Sequence, residues 1–263
     1  MSRALLGVRP APVEVPPAVR ALTGWAVVTP VWRNELGGLT FRLDEPGRAL
    51  RRARYLKWVP RGSACPDPAA EGDRLHWAGP HAAVPRVLYQ GLRPEGAYLV
   101  TEAIDATSAI EQHWVARREH AARVIGAGLR FLHDSLPVDG CPFDWSAASR
   151  AAALPARVRR RLPPAPEPDL LVVCHGDATV PNTLLRDDGT FAAHVDVGEL
   201  GVADRWADIA VTTRSVTRRY GPGLEDVVLE AYGVGPDPLR TAYYRRLWDA
   251  VETWRLGRVR SAG

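Results

Sequence analysis

The sequence predicts an α+β chain, with an antiparallel sheet and one helix over residues 1–102 and a mainly helical part over residues 103–263. Three observations predict it. Short runs rich in β-branched and aromatic residues, separated by Gly and Pro, fill the first part. From Trp114 onward, apolar residues recur at helical spacings of three, four or seven. Between the later helices, two short apolar runs, 170–174 and 191–195, each lead into a carboxylate.

Composition sets the bounds. A chain of 263 residues can bury a sizeable core as one large domain or two lobes. Its 46% apolar and 24% charged residues are ordinary for a soluble globular protein. No apolar run approaches the roughly 20 residues of a membrane span, and residues 1–17 lack the apolar stretch of a signal peptide. Cys65, Cys141 and Cys174 are odd in number and widely spaced, which fits a reducing cytoplasm without disulfides. No CxxC or His/Cys cluster points to zinc. The net charge of +4 suits a polyphosphate ligand, but a general Arg, Ala and Pro bias explains it. Neither nucleic acid nor membrane is an expected partner.

The elements follow in order. Residues 1–20, with Pro10, Pro12, Pro16 and Pro17, read as an extended lead-in, and residues 25–31 as a strand. Residues 34–43 suit a hairpin with Gly37-Gly38 at its turn. In a nucleotide-binding lobe such a loop covers phosphates, because glycine lets backbone N–H groups approach. Residues 54–59 form the next strand. Lys57, between Leu56 and Trp58, is either an edge lysine reaching solvent or the lysine that orients nucleotide phosphates. Pro68 opens a helix capped by Asp67, which sets Glu71, Leu75 and Ala78 on one face. A bare carboxylate facing the sheet is costly, so Lys57 is its natural partner. Residues 84–89 and 97–102 read as two more strands, and residues 101–105 as a connector whose backbone could meet an adenine edge. A helix is expected over 114–136, stopped by Pro137, and another over 147–162 with a solvated basic face. Residues 163–168 are a Pro-rich spacer.

The central stretch is Cys174-His175-Gly176-Asp177-Ala178-Thr179-Val180-Pro181-Asn182. Asp177 and Asn182 stand five positions apart, the spacing of H-R-D-x-x-x-x-N in kinase catalytic loops. There the Asp receives the acceptor hydroxyl proton and the Asn holds Mg²⁺. Asp196-Val197-Gly198 occupies the place of D-F-G, offering a second carboxylate to the metal. Asp204 can cap a helix starting near Arg205, in which Asp208 is placed to support the catalytic loop. Helices are expected over 224–232 and 238–256. The stretch after Gly198 is too short for an activation segment and no A-P-E follows, so the acceptor is a small molecule rather than a protein.

With these residues the chain resembles the aminoglycoside phosphotransferase family, in its 3′-phosphotransferase (kanamycin kinase) branch, over nearly its whole length. The specific matches are Val173 to Asp177, Pro181-Asn182-Thr183-Leu184-Leu185, His194 to Gly198 and Leu200 to Asp208, supported by Leu56-Lys57-Trp58. The resemblance implies a protein-kinase-like two-lobed fold, ATP (or GTP) with Mg²⁺, and an acceptor hydroxyl, the 3′-OH, on an aminoglycoside antibiotic. It implies a cytoplasmic resistance enzyme that is a monomer or weak dimer. Asp177 matches the catalytic Asp, Asn182 and Asp196 the Mg²⁺ ligands, and Lys57 with Glu71 the phosphate-positioning pair. Thr101 and Ala103 match the connector residues whose backbone meets adenine, and His175 looks like a loop-stabilising residue. Two features depart from the family: Glu199 stands where relatives carry Arg or Lys, and the segment between Phe143 and Val173 is short and basic. A cationic acceptor needs carboxylates, for which the candidates are Asp144, Glu199, Asp249 and Glu252. Alternative readings are a kinase of another small molecule or a catalytically silent nucleotide-binding protein.

Overall fold

The computed structural model describes residues 13–34, 36–45, 53–63 and 65–262. The chain divides into two compact units: Met1–Trp77, Pro85–Ile104 and Thr253–Gly263 in the first, Ala78–Val84 and Asp105–Glu252 in the second.

The first unit is built on five antiparallel strands: β1 Val27–Arg33, β2 Leu39–Asp44, β3 Arg54–Pro60, β4 Val87–Arg93 and β5 Gly96–Glu102. Their order is β1-β2-β3-β5-β4. Pro30 is tolerated because β1 lies at the edge and its register shifts between Pro30 and Trp32. Strand alternation sorts the faces. Phe41, Leu43, Leu56, Trp58 and Val100 are buried in one cluster with Val15 and Val19. Val19 belongs to α1 Pro17–Thr23, so the expected lead-in is helical from Pro17, where a first-turn proline sacrifices no intrahelical bond. Its earlier prolines, Pro10 and Pro12, lie outside the described residues. On the opposite face Thr40, Lys57 and Leu99 are in register. Helix α2, Pro68–Ala78, brings Glu71 to Lys57. Asp67 Oδ1 accepts the Ala69 N–H at 2.9 Å, the cap the sequence announced. The strand expected at 84–89 instead starts at Val87, after Pro85, which has no N–H to give a ladder.

The second unit holds β6 Thr107–Ser108, α3 Gln112–Ala116 and α4 Arg118–Ser135, then two short helices, α5 Ala147–Ala152 and α6 Ala156–Arg159. A single helix was expected across the last two, but Pro155 separates them. Strands β7 Leu171–Cys174, β8 Thr183–Leu185, β9 Phe191–His194 and β10 Gly201–Asp204 follow. Helices α7 Trp206–Tyr220, α8 Glu225–Tyr232 and α9 Pro238–Ala262 close the chain, α9 belonging to this unit as far as Glu252. Asp204 Oδ1 accepts the Trp206 N–H at the start of α7. Trp114, Ile125, Val180, Leu185, Val216 and Val228 share one core. The two apolar runs enter different ladders: β7 pairs with β10, and β9 with β8. Among the described residues no helix is long and apolar enough to cross a membrane.

Candidate active site

The loop after β7 is shaped by Gly176, at φ 90°. A Cβ there would lie 2.4 Å from the Glu199 carbonyl oxygen, so the close approach of these two backbones requires glycine. Beneath the loop, the buried Asp208 of α7 accepts the N–H groups of His175 (2.5 Å) and Gly176 (3.1 Å). Its Oδ2 also meets His133 Nε2 at 3.1 Å. Burial opposes the Asp208 charge, but the His133 contact and the loop amides outweigh it and hold its pKa below the ordinary carboxylate value. Asp208 thus has the supporting place its position in the sequence suggests.

His175 Nδ1 accepts the Asp177 N–H at 3.1 Å, and its Nε2 donates to the Val195 carbonyl at 3.0 Å. That pair of bonds fixes one neutral tautomer, and burial lowers the pKa in agreement. The ring ties the loop to the segment before Asp196.

Asp177 Oδ2 accepts from Asn182 Nδ2 at 3.0 Å, and the same Nδ2 reaches the Asp177 carbonyl at 2.9 Å. Oδ1 is covered and has no hydrogen-bond partner. Burial first, then the negative charges of Asp196 and Glu252, push the Asp177 pKa well above the carboxylate range. The residue as a whole is half-buried, yet its carboxylate is enclosed and its affinity for a proton is raised.

Asn182 ends a 3-10 turn, Val180–Asn182, and leads into β8, while Asp196 follows β9. Because β8 and β9 are antiparallel, with Thr183 opposite His194, the two residues stand at the same end of the ladder. The Val195 N–H to Asn182 carbonyl bond, 3.0 Å, closes that end. Asp196 is exposed and sits at φ 63°, the left-handed region that Asp tolerates better than most side chains.

In the first unit, Lys57 Nζ lies 2.7 and 2.6 Å from the two Glu71 oxygens, the pairing expected. The connector differs from expectation. The Ala103 N–H donates to the Ala53 carbonyl at 2.8 Å. Hydrogen-bonded pairs alternate along an antiparallel ladder, so Thr101, opposite Tyr55, also turns its backbone groups toward β3. Neither Thr101 nor Ala103 presents the open edge assigned to adenine.

The four candidate acceptor carboxylates divide. Asp144 Oδ1 accepts the Ser146 N–H at 2.8 Å in the turn before α5. Asp249 pairs with Arg214 at 2.7 Å. Both are exposed and take part in these local contacts. Glu199 backs onto Gly176 and Glu252 acts electrostatically on Asp177, so these two share the Asp177 neighbourhood. Sequence reading missed Thr212 and Ser215. Thr212 Oγ1 donates to the Ala178 carbonyl at 2.7 Å, and Ser215 Oγ accepts the Val180 N–H at 3.0 Å. Their spacing from Asp208, four and seven residues, was the available signal.

A model of the phosphotransferase enzyme family matches residues 38–244. An aminoglycoside 3′-phosphotransferase of Streptomyces fradiae is 34% identical over 230 residues, covering 73% of this chain and 84% of that one. A streptomycin 3″-kinase of Streptomyces griseus is 30% identical, covering 90% of this chain and 96% of its own. A solved aminoglycoside phosphotransferase of Streptomyces rimosus, in complex with ADP and streptomycin, is 26% identical with a TM-score of 0.65, covering 89% of this chain and 95% of that one. With a kinase-spaced Asp and Asn, a second carboxylate beside them and a Lys–Glu pair already in place, these likenesses settle the lineage: the chain belongs to the aminoglycoside phosphotransferase family and has its kinase-like α+β fold.

Proposed function

We propose that this protein uses ATP and Mg²⁺ to phosphorylate an aminoglycoside on its 3′-hydroxyl, as a cytoplasmic monomer or weak dimer. The observation that carries the reading is Asp177, an enclosed carboxylate of raised proton affinity with Oδ1 unpartnered and Oδ2 anchored by Asn182. Such a group can orient an acceptor hydroxyl through Oδ1 and take its proton as the phosphoryl group transfers.

The donors nearby suit a hard divalent cation. Asn182 gives its Nδ2 to Asp177 and so offers its Oδ1, while the exposed Asp196 carboxylate stands at the same ladder end. Bound by these two residues, Mg²⁺ supplies charge neutralisation on phosphate oxygens. Lys57, held by Glu71, orients the nucleotide phosphates. The mutual repulsion of Asp177, Asp196 and Glu252 favours a cationic acceptor, whose ammonium groups relieve it.

Asp177→Asn tests the reading. It is expected to bind nucleotide and lose at least ~100-fold of turnover. Turnover near wild type would remove Asp177 from its role. Kanamycin, neomycin and streptomycin should be compared as acceptors, because one relative is named for a 3″ activity. Stimulation by streptomycin alone would overturn the 3′ assignment.

A further inference from the structure

We infer that Thr212 and Ser215 of α7 are positioning residues for the transfer, setting where Asp177 and Asn182 stand. The inference rests on the phosphotransferase reading and adds two residues to it.

A hydroxyl inside a helix ordinarily bonds a carbonyl of the preceding turn. Thr213 does so, with Ile209 and Ala210 carbonyls at 2.8 and 3.2 Å. Thr212 and Ser215 are equally buried, at 1% and 4% exposure, yet both bond out of the helix to the catalytic loop. With Asp208 they form one stripe at i, i+4 and i+7.

The stripe grips the loop on both sides of Asp177. Asp208 takes the amides of residues 175 and 176, Thr212 the carbonyl of 178, and Ser215 the amide of 180. Ala178 and Val180 are themselves buried, so water cannot replace those bonds. The bond at Val180 also sets the start of the 3-10 turn that ends at Asn182. Of the other bonds to the backbone of residues 177–182, Thr179 to Asp177 and Asn182 to Thr179 are local, while Ser108 Oγ to the Pro181 carbonyl (2.7 Å) and the Val195 N–H to the Asn182 carbonyl (3.0 Å) hold only the far end of the loop. On the Asp177 side, from residue 175 to residue 180, the backbone anchors outside the loop described above come from α7. A displacement of about 1 Å at a reacting group can cost ~100-fold in rate.

The test compares Thr212→Val and Ser215→Ala with Thr213→Val, which removes a buried hydroxyl of the same helix that does not touch the loop. The first two should lower kcat by ~10–100-fold while the nucleotide KM changes little. Thr212→Ser, which keeps the hydroxyl, should restore kcat. Thr213→Val should lower the melting temperature without lowering kcat. Equal kcat losses in all three at matched melting temperature would overturn the inference. A second readout needs no turnover: Val180 amide exchange, measured without substrate, should accelerate in Ser215→Ala and not in Thr213→Val. Unchanged exchange in Ser215→Ala would also overturn it. Wild-type protein inactive toward every aminoglycoside would count against the phosphotransferase reading, and the exchange measurement would still decide the role of α7.

Discussion

Asp177 carries a charge that its surroundings oppose. Its raised pKa means that the folded protein holds a proton that the unfolded chain has already released. Stability is therefore lost as pH rises from the ordinary carboxylate value through the raised one, and the loss persists above it. Asp177→Asn removes this penalty, so it should melt higher than wild type at about pH 8, with the gap closing toward about pH 4. A lower melting temperature for the variant at pH 8 would contradict the electrostatics. Asp196 makes a different demand, on its backbone. At φ 63°, Asp196→Asn should leave stability within ~0.5 kcal/mol, whereas Asp196→Val should cost about 1–2 kcal/mol in denaturant unfolding. The spacing of Asp177, Asn182 and Asp196 was legible because the roles proposed for them, a proton acceptor and two metal ligands, call for those residue types. Thr212 and Ser215 were not, because a hydroxyl in a helix has a local bond available and only the packed structure shows that it is declined.

At the scale of elements, β3 and α2 are joined by the Lys57–Glu71 pair, whose side chains are 28% and 10% exposed. Partial solvent contact makes this pair weaker than a fully buried one. Lys57→Met should cost about 1–3 kcal/mol by removing the cation that both Glu71 oxygens face, and adding Glu71→Leu should recover part of that. Turnover should fall in both variants and return in neither. Recovery of turnover in the double variant would show the pair to be structural only. This pairing could be read from sequence because Asp67 and Pro68 fix where α2 begins, and hence which face carries Glu71. The connector could not. Thr101 and Ala103 occupy the expected positions, but which way their backbone groups point depends on ladder alternation, and the Ala103 to Ala53 bond decides that against an open adenine edge. The helix expected over 147–162 is instead two short helices, because Pro155 has no N–H to continue the first and stands at the cap of the second.

For the whole molecule, acid is the expected weakness. Burial, followed by the neighbouring His175, pushes His194 down to about 3, and His175 is lowered by burial as well. Both are neutral in the fold, while the unfolded chain protonates them below about pH 6.5. Their contribution to stability is complete above that pH and is lost as pH falls toward about 3. His194→Phe should flatten the decline of melting temperature over that window, and an unchanged slope would count against it. The strands before residue 102 and the helices from Trp114 onward were legible in the patterning, while the kinase-like arrangement came from the family resemblance. The acceptor was harder to read, because the four candidate carboxylates have different surroundings that spacing does not reveal: Asp144 bonds the Ser146 N–H, Asp249 pairs with Arg214, Glu199 backs onto Gly176, and Glu252 acts on the Asp177 charge. The central claim is phosphoryl transfer to an aminoglycoside, and the direct measurement is ADP release by purified protein with ATP and Mg²⁺, with and without kanamycin or neomycin, alongside the mass of the recovered drug. The account expects acceptor-dependent release and a drug heavier by one phosphoryl group, absent in Asp177→Asn. Release that is the same with and without drug, and a drug of unchanged mass, would contradict it.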